Sequence, residues 1–140
     1  MGEEQSKLVS EVLRQKDYVL NKNNGIGYAP IPHNIYRKLL PQLKAKYDGQ
    51  TARDCLFLYG YFQANVNGQS EGSAYMWAFP NVVQIAEDTG IHKDRIKGLV
   101  DILESEGLLV SRRIPWYGHT KKMYMPFYMP RKLPDSYERE

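Results

Sequence analysis

One change of hydrophobic period, inside the stretch from Asn81 to Tyr128, constrains this chain more than any other feature. Up to Gly107 the apolar residues recur at helical spacing; beyond it they crowd into branched and aromatic runs that suit extended chain. In NVVQIAEDTG, Val82, Ile85 and Ala86 fall on one helical face, and the pattern stops at Thr89 and Gly90. Gly90 predicts a corner, because packing a second helix across the first takes a sharp turn and glycine accepts the left-handed backbone such turns use. The second helix comes at once. In IHKDRIKGLVDILESEG, Ile96, Leu99, Val100 and Leu103 repeat at i, i+3, i+4 and i+7, and Gly107 is the expected stop. Ala86 is small enough to let the two helices approach, and Ile85 and Ile91 are apolar where the packing wants them.

Past Gly107, LLVSRRI and MYMPFYM read as strands, and PWYGHTKK between them carries the proline, glycine and polar residues of a turn. Helix, tight turn, helix and basic hairpin together read as a winged helix-turn-helix, a module that usually grips duplex DNA. The stretch from Gly107 to Pro134 holds Arg112, Arg113, Lys121, Lys122, Arg131 and Lys132 and no acidic residue, a charge of +6 in a chain whose net charge is +3. The remainder therefore carries −3, so a modest net charge conceals a concentrated basic element. Such a hairpin attracts phosphate and gives affinity that falls steeply with salt, because binding releases counterions.

The upstream sequence supplies the rest of such a module. Thr51 to Ala64 is a helix with Thr51 as its expected cap and Ala52, Cys55, Leu56, Tyr59 and Phe62 on one face. Asn65 to Ser73 is a polar loop, and AYMWAF is expected to form a short strand that joins the two wing strands. Before these, Tyr28 to Ile31 is extended, Pro32 opens a short helix through Leu40, and Pro41 interrupts or kinks the chain beyond it. Lys7 to Leu20 is an amphipathic helix with Leu8, Val9, Val12, Leu13, Val19 and Leu20 in its apolar stripe, and NKNNGIG breaks it. The expected fold class is α+β: a three-helix core with a small antiparallel sheet and a β-hairpin wing, plus the appended N-terminal helix. Residues 1–27 form the helix and linker, 28–134 the winged-helix domain and 135–140 a polar tail. The appended helix either packs on its own domain or pairs with a second copy; the latter makes a homodimer through Leu8, Val9, Val12 and Leu13.

Other classes fit poorly. His33, His92 and His119 are far apart, with no pair at metal-ligand spacing, and Gly25-Ile26-Gly27 lacks the third glycine of a nucleotide fingerprint. No catalytic residue, metal or cofactor is expected. Cys55 is the only cysteine, which excludes an intramolecular disulfide and suits a reducing cytoplasm. No apolar run approaches the roughly 18 residues of a membrane span, and the acidic, polar start MGEEQSKLVS argues against a secretory signal.

Helical geometry nominates the contacts. With Ile96, Leu99, Val100 and Leu103 facing the core, the opposite face carries Asp94, Lys97, Gly98 and Asp101, flanked by Lys93 and Arg95. The bases sit in the first half and the acids Asp101, Glu104 and Glu106 in the second, so the helix should enter a major groove by its N-terminal end. Lys97 is the expected base-edge contact, with His92, Lys93 and Arg95 serving bases or phosphates. Gly98 either permits close approach to DNA or marks a helix crossing. On the wing, Arg112, Arg113, Tyr117, His119, Lys121 and Lys122 are the expected contacts, while Trp116 either packs on Tyr124 or Tyr128 or meets DNA.

The run AYMWAF, NVVQIAEDTGIHKDRIKGLVDILESEGLLVSRR and KKMYMPFY resembles the N-terminal winged-helix domain of the plasmid replication initiator A proteins of Gram-positive bacteria. YAPIPHNIYRKL and the helix containing DCLFLYGYF are similar in order and character, so the resemblance covers roughly Tyr28 to Tyr128. The helix-turn-helix with its EGLL segment is also similar to winged-helix repressors and to primosomal proteins of the DnaD type. The resemblance implies sequence-specific binding of duplex DNA in plasmid or phage replication or its control, with replication proteins as further partners. Two alternatives stay open: a transcriptional repressor, and a winged helix that docks a protein of a replisome or regulatory complex.

Overall fold

The computed structural model describes residues 2–21, 23–68 and 72–131. Lys132, the expected tail 135–140 and the middle of the expected 65–73 loop lie outside the described residues. The chain forms two compact units that divide between Pro30 and Ile31. In the first, α1 spans Glu3–Leu20, starting four residues before the expected Lys7. Glu3 and Glu4 occupy its first turn, where negative charge complements the helix dipole and extends the helix outward. Leu8, Val9, Val12 and Leu13 are all exposed. Asn21 and Asn24 end the helix through side-chain turns, accepting the N–H groups of Asn23 at 2.9 Å and Ile26 at 2.6 Å.

Among the described residues the second unit is α+β: four α-helices followed by an antiparallel hairpin packed against them, consistent with a winged-helix-like arrangement. Pro41 does not interrupt its first helix. A π-helical turn over Ile35–Leu39 leads without a break into α2, Leu40–Lys46, with Pro41 in the first turn. The wider turn, closed by Leu40 N–H on Ile35 O, relieves the clash a proline ring meets in a regular α-helix. Ile35, Leu39 and Leu43 stay on the buried side.

The cap of α3, Gly49–Ala64, is Asp48 and not Thr51: its Oδ1 accepts Thr51 N–H at 2.7 Å. A carboxylate is the stronger acceptor and also meets the positive end of the dipole, and this hydrogen bond holds the Asp48 carboxyl below its usual pKa. α3 packs on α2, on α5 and on the hairpin, burying Ala52, Cys55, Leu56, Leu58, Tyr59 and Phe62. Phe62 stacks on Tyr124 of the hairpin, ring centroids 4.4 Å apart and planes at 22°. Cys55 is fully enclosed, and burial pushes its thiol up to about 12. A thiol reagent at mildly alkaline pH should therefore modify Cys55 no faster than the domain opens. Labelling at the rate of an exposed thiol would contradict this packing.

α4 spans Val82–Thr89, capped by Asn81 Oδ1 on Gln84 N–H at 2.8 Å. Gly90 closes it in the left-handed conformation, φ 77°, as the corner requires. Val82, expected to pack, is exposed; in so short a helix only Ile85 is buried. α5, Lys93–Ser105, buries Ile96, Leu99, Val100 and Leu103 as the spacing predicts. Lys46 at the end of α2 pairs with Glu106 at 2.8 Å, joining two helix ends.

The hairpin pairs β1, Leu109–Trp116, with β2, His119–Pro126, from Leu109↔Pro126 to Trp116↔His119. Its turn is far tighter than the expected PWYGHTKK: only Tyr117 and Gly118 lie outside the strands, at φ 44° and 81°. Two positive φ values make a type I′ turn, whose twist matches the strands it joins. In such a hairpin the flanking pair exchanges both bonds and the pairs then alternate, so Pro115 and Tyr124 fall at non-bonded positions. Pro115 loses no ladder bond there, and the outward backbone of Tyr124 takes Ala78 at 2.7 and 2.9 Å.

To the hairpin AYMWAF contributes only that bridge, while its Tyr75 bridges back to Asn67, so among the described residues the sheet has two strands and not the expected three. Trp77 N–H turns back onto Ala74 O at 3.0 Å, and Met76 adopts φ 68°. The segment therefore curls before it reaches β2, and Pro80 comes too soon after it to continue a ladder.

Candidate nucleic-acid interface

The hairpin places its cations on both faces. Cross-strand partners share a face and neighbours alternate, so Arg113 and Lys122 lie on one side and Arg112 and Lys121 on the other. Arg113 stands directly opposite Lys122. Like charges in that position repel and destabilise a hairpin, and no acidic residue in either strand offsets them. Arg112 and Arg113 are exposed, whereas Lys121 and Lys122 are half-buried against rings: Lys122 Nζ lies 5.4 Å from the centroid of Tyr124. Tyr117 projects from the tip at 88% exposure, and His119 Nδ1 approaches its carbonyl at 3.2 Å.

Trp116 belongs to this surface and not to the core. It is 42% exposed, meets Tyr117 edge-on at 5.2 Å, and carries the Lys121 ammonium 5.1 Å from its centroid. Tyr124, one of its two expected partners, is committed to Phe62, because the base of the hairpin packs on α3. Arg131 lies over Phe127 at 5.2 Å.

At α5 the expected contacts separate into different roles. His92 is the cap of the helix: its Nδ1 accepts Asp94 N–H at 3.1 Å, leaving Nε2 as the ring nitrogen for an outside partner. Lys93 is exposed and forms no ion pair among the described residues. Arg95 reaches the other way, to Asp54 on α3, and so serves helix packing. Lys97 is exposed but paired with Asp101 at 3.0 Å, an i,i+4 contact weak enough in water to be exchanged for a stronger anion. The basic leading end of α5 is thereby reduced to His92, Lys93 and Lys97.

Gly98 meets no atom within 4 Å of an added Cβ, so no helix crossing requires it. Gly98→Ala should therefore stabilise the fold, by about 0.5–1 kcal/mol, through helix propensity alone. If Gly98 lies against DNA, the same methyl should lower duplex affinity. Urea unfolding and duplex titration of one variant separate the two effects, and unchanged affinity would remove Gly98 from the interface.

Asp54 and Phe79 join the site without a signal in the sequence. Nothing in the spacing of α3 indicates that Asp54 meets α5, and Phe79 becomes part of a surface only when AYMWAF bridges β2 at Ala78. Among the described residues no group of three or more His, Cys, Asp or Glu could hold a metal, and no helix is long and apolar enough to cross a membrane. Comparison of the chain with protein-family models, curated proteins and solved structures finds no match.

Proposed function

We propose that this protein binds duplex DNA sequence-specifically, with α5 entering the major groove by its N-terminal end and the hairpin lying along the adjacent backbone or minor groove. The observation that carries the reading is Arg113 opposite Lys122, within a hairpin that has four cations and no acid. Such a pair weakens the free hairpin and becomes favourable when phosphate lies against it. His92, Lys93, Lys97 and Gly98 supply base or close backbone contacts, and Arg112, Arg113, Tyr117, His119, Lys121 and Lys122 supply the wing. The exposed Leu8, Val9, Val12 and Leu13 of α1 are the surface on which a second copy would pair.

The setting that the resemblance suggests is plasmid or phage replication or its control, in the cytoplasm. Selection of bound duplexes from a random pool tests the proposal. Enrichment of a defined site is expected: direct repeats fit an origin, and a single palindrome fits a repressor. Binding without enrichment would overturn the specificity, and Lys97→Ala should broaden the selected site. The Lys97–Asp101 pair and Asp94 also suit a protein partner on α5. No duplex binding at low salt, with a replication protein bound instead, would establish that alternative.

A further inference from the structure

Because AYMWAF bridges β2 only at Ala78, the edge of β2 toward the tip is left open, and it borders a groove of about 450 Å³. The chain from Phe79 through the start of α4 forms the opposite wall. That volume lies within the roughly 300–1,000 Å³ typical of small-ligand sites.

Three features of the lining converge. Arg113, Lys121 and Lys122 all line it, no carboxylate does, and none of the three forms an ion pair among the described residues. Cations in a concave site without counter-charge favour a compact anion such as phosphate. Phe79, Trp116 and Tyr124 also line it, and the Lys121 ammonium bridges the first two at 5.2 and 5.1 Å from their centroids. A flat aromatic ligand can take a ring face from that ammonium, which then turns to the anion the ligand carries. The third feature is the strand edge. By the register that points Tyr124 toward Ala78, the N–H and C=O groups of Thr120 and Lys122 point to the same side, an alternation of donors and acceptors suited to the edge of a base.

The geometry points to a site for one unpaired nucleotide, its phosphate held by Arg113 and Lys122 and its base stacked on Trp116. Duplex binding alone does not call for such a site, since paired and stacked bases offer no free face. The nucleotide is either a free nucleoside phosphate or one residue of a single strand; both present the same base and phosphate. The site extends the duplex-binding proposal without depending on it.

Titration of the full chain with adenosine monophosphate, a short oligothymidylate, adenosine and inorganic phosphate tests the site, read by indole fluorescence and by the Trp116 indole N–H resonance. The nucleotide or the oligomer should shift that resonance and saturate, and Trp116→Leu should weaken binding about ten-fold or more, the scale of one base stack. Arg113→Gln should weaken the nucleotide but not the nucleoside. An oligomer bound far more tightly than the mononucleotide identifies a strand site, and equal binding a free-nucleotide site. Phosphate alone acting as well as the nucleotide, adenosine binding as tightly, or no probe moving Trp116 at millimolar concentration each overturns the inference. Duplex affinity measured on the same samples keeps the two proposals apart. Wild type that binds nucleotide and no duplex supports the site and removes the duplex proposal, whereas wild type that binds duplex and no nucleotide removes the site alone.

Discussion

Phe62→Ala should destabilise the fold by about 3–5 kcal/mol, the range for deleting a fully enclosed phenylalanine. Phe62 has no exposed surface, and its stack on Tyr124 is the main aromatic link between α3 and the hairpin. Its neighbours amplify the loss. Tyr59 Oη donates to Phe127 O beside it, and Gln63 Nε2 donates to the same carbonyl at 3.3 Å. Urea unfolding is the measurement, and a loss below about 2 kcal/mol would show that the hairpin is anchored elsewhere. In a double-mutant cycle with Tyr124→Leu, a coupling of about 0.5–1.5 kcal/mol is expected beyond the area term.

Replacing Arg112, Arg113, Lys121 and Lys122 together by glutamine should lower duplex affinity on the order of 100-fold at moderate salt. The salt slope should flatten by up to about 3.6, at about 0.9 for each phosphate that is no longer neutralised. Stability should change little, because relief of the repulsion between Arg113 and Lys122 offsets the loss of the Lys121 and Lys122 contacts with Phe79, Trp116 and Tyr124. A large loss of affinity at nearly unchanged stability separates a binding surface from a structural one. A variant that unfolds more easily and binds duplex as before would show that these cations serve the fold.

The parts of the fold that are legible in the sequence rest on local chemistry. The corner at Gly90 comes from a backbone conformation that glycine adopts at little cost, and the buried face of α5 from four aliphatics at helical spacing. The hairpin itself is legible in its composition, but not the size of its turn, since Tyr117 at positive φ is an uncommon choice for a type I′ corner. The features that are not legible depend on competition or on distant partners. Asp48 outcompetes Thr51 as a cap, and a π-helical turn lets the first helix of the domain run through Pro41. AYMWAF has strand composition, yet the turn at Ala74 to Trp77 leaves only Ala78 in register. Of the candidate site, the wing cations are plain from charge, whereas the engagement of Arg95 by Asp54 and the exposure of Trp116 are tertiary facts.

In the proposed complex the hairpin meets phosphate while α5 reads sequence. Equilibrium binding of the wild-type chain to its selected duplex, measured across salt from about 50 to 400 mM, tests it most directly. The logarithm of the binding constant should fall linearly with the logarithm of salt, with a slope of about −4 to −6 for four hairpin contacts plus those of α5. A slope near zero, or no binding at the lowest salt, would contradict it.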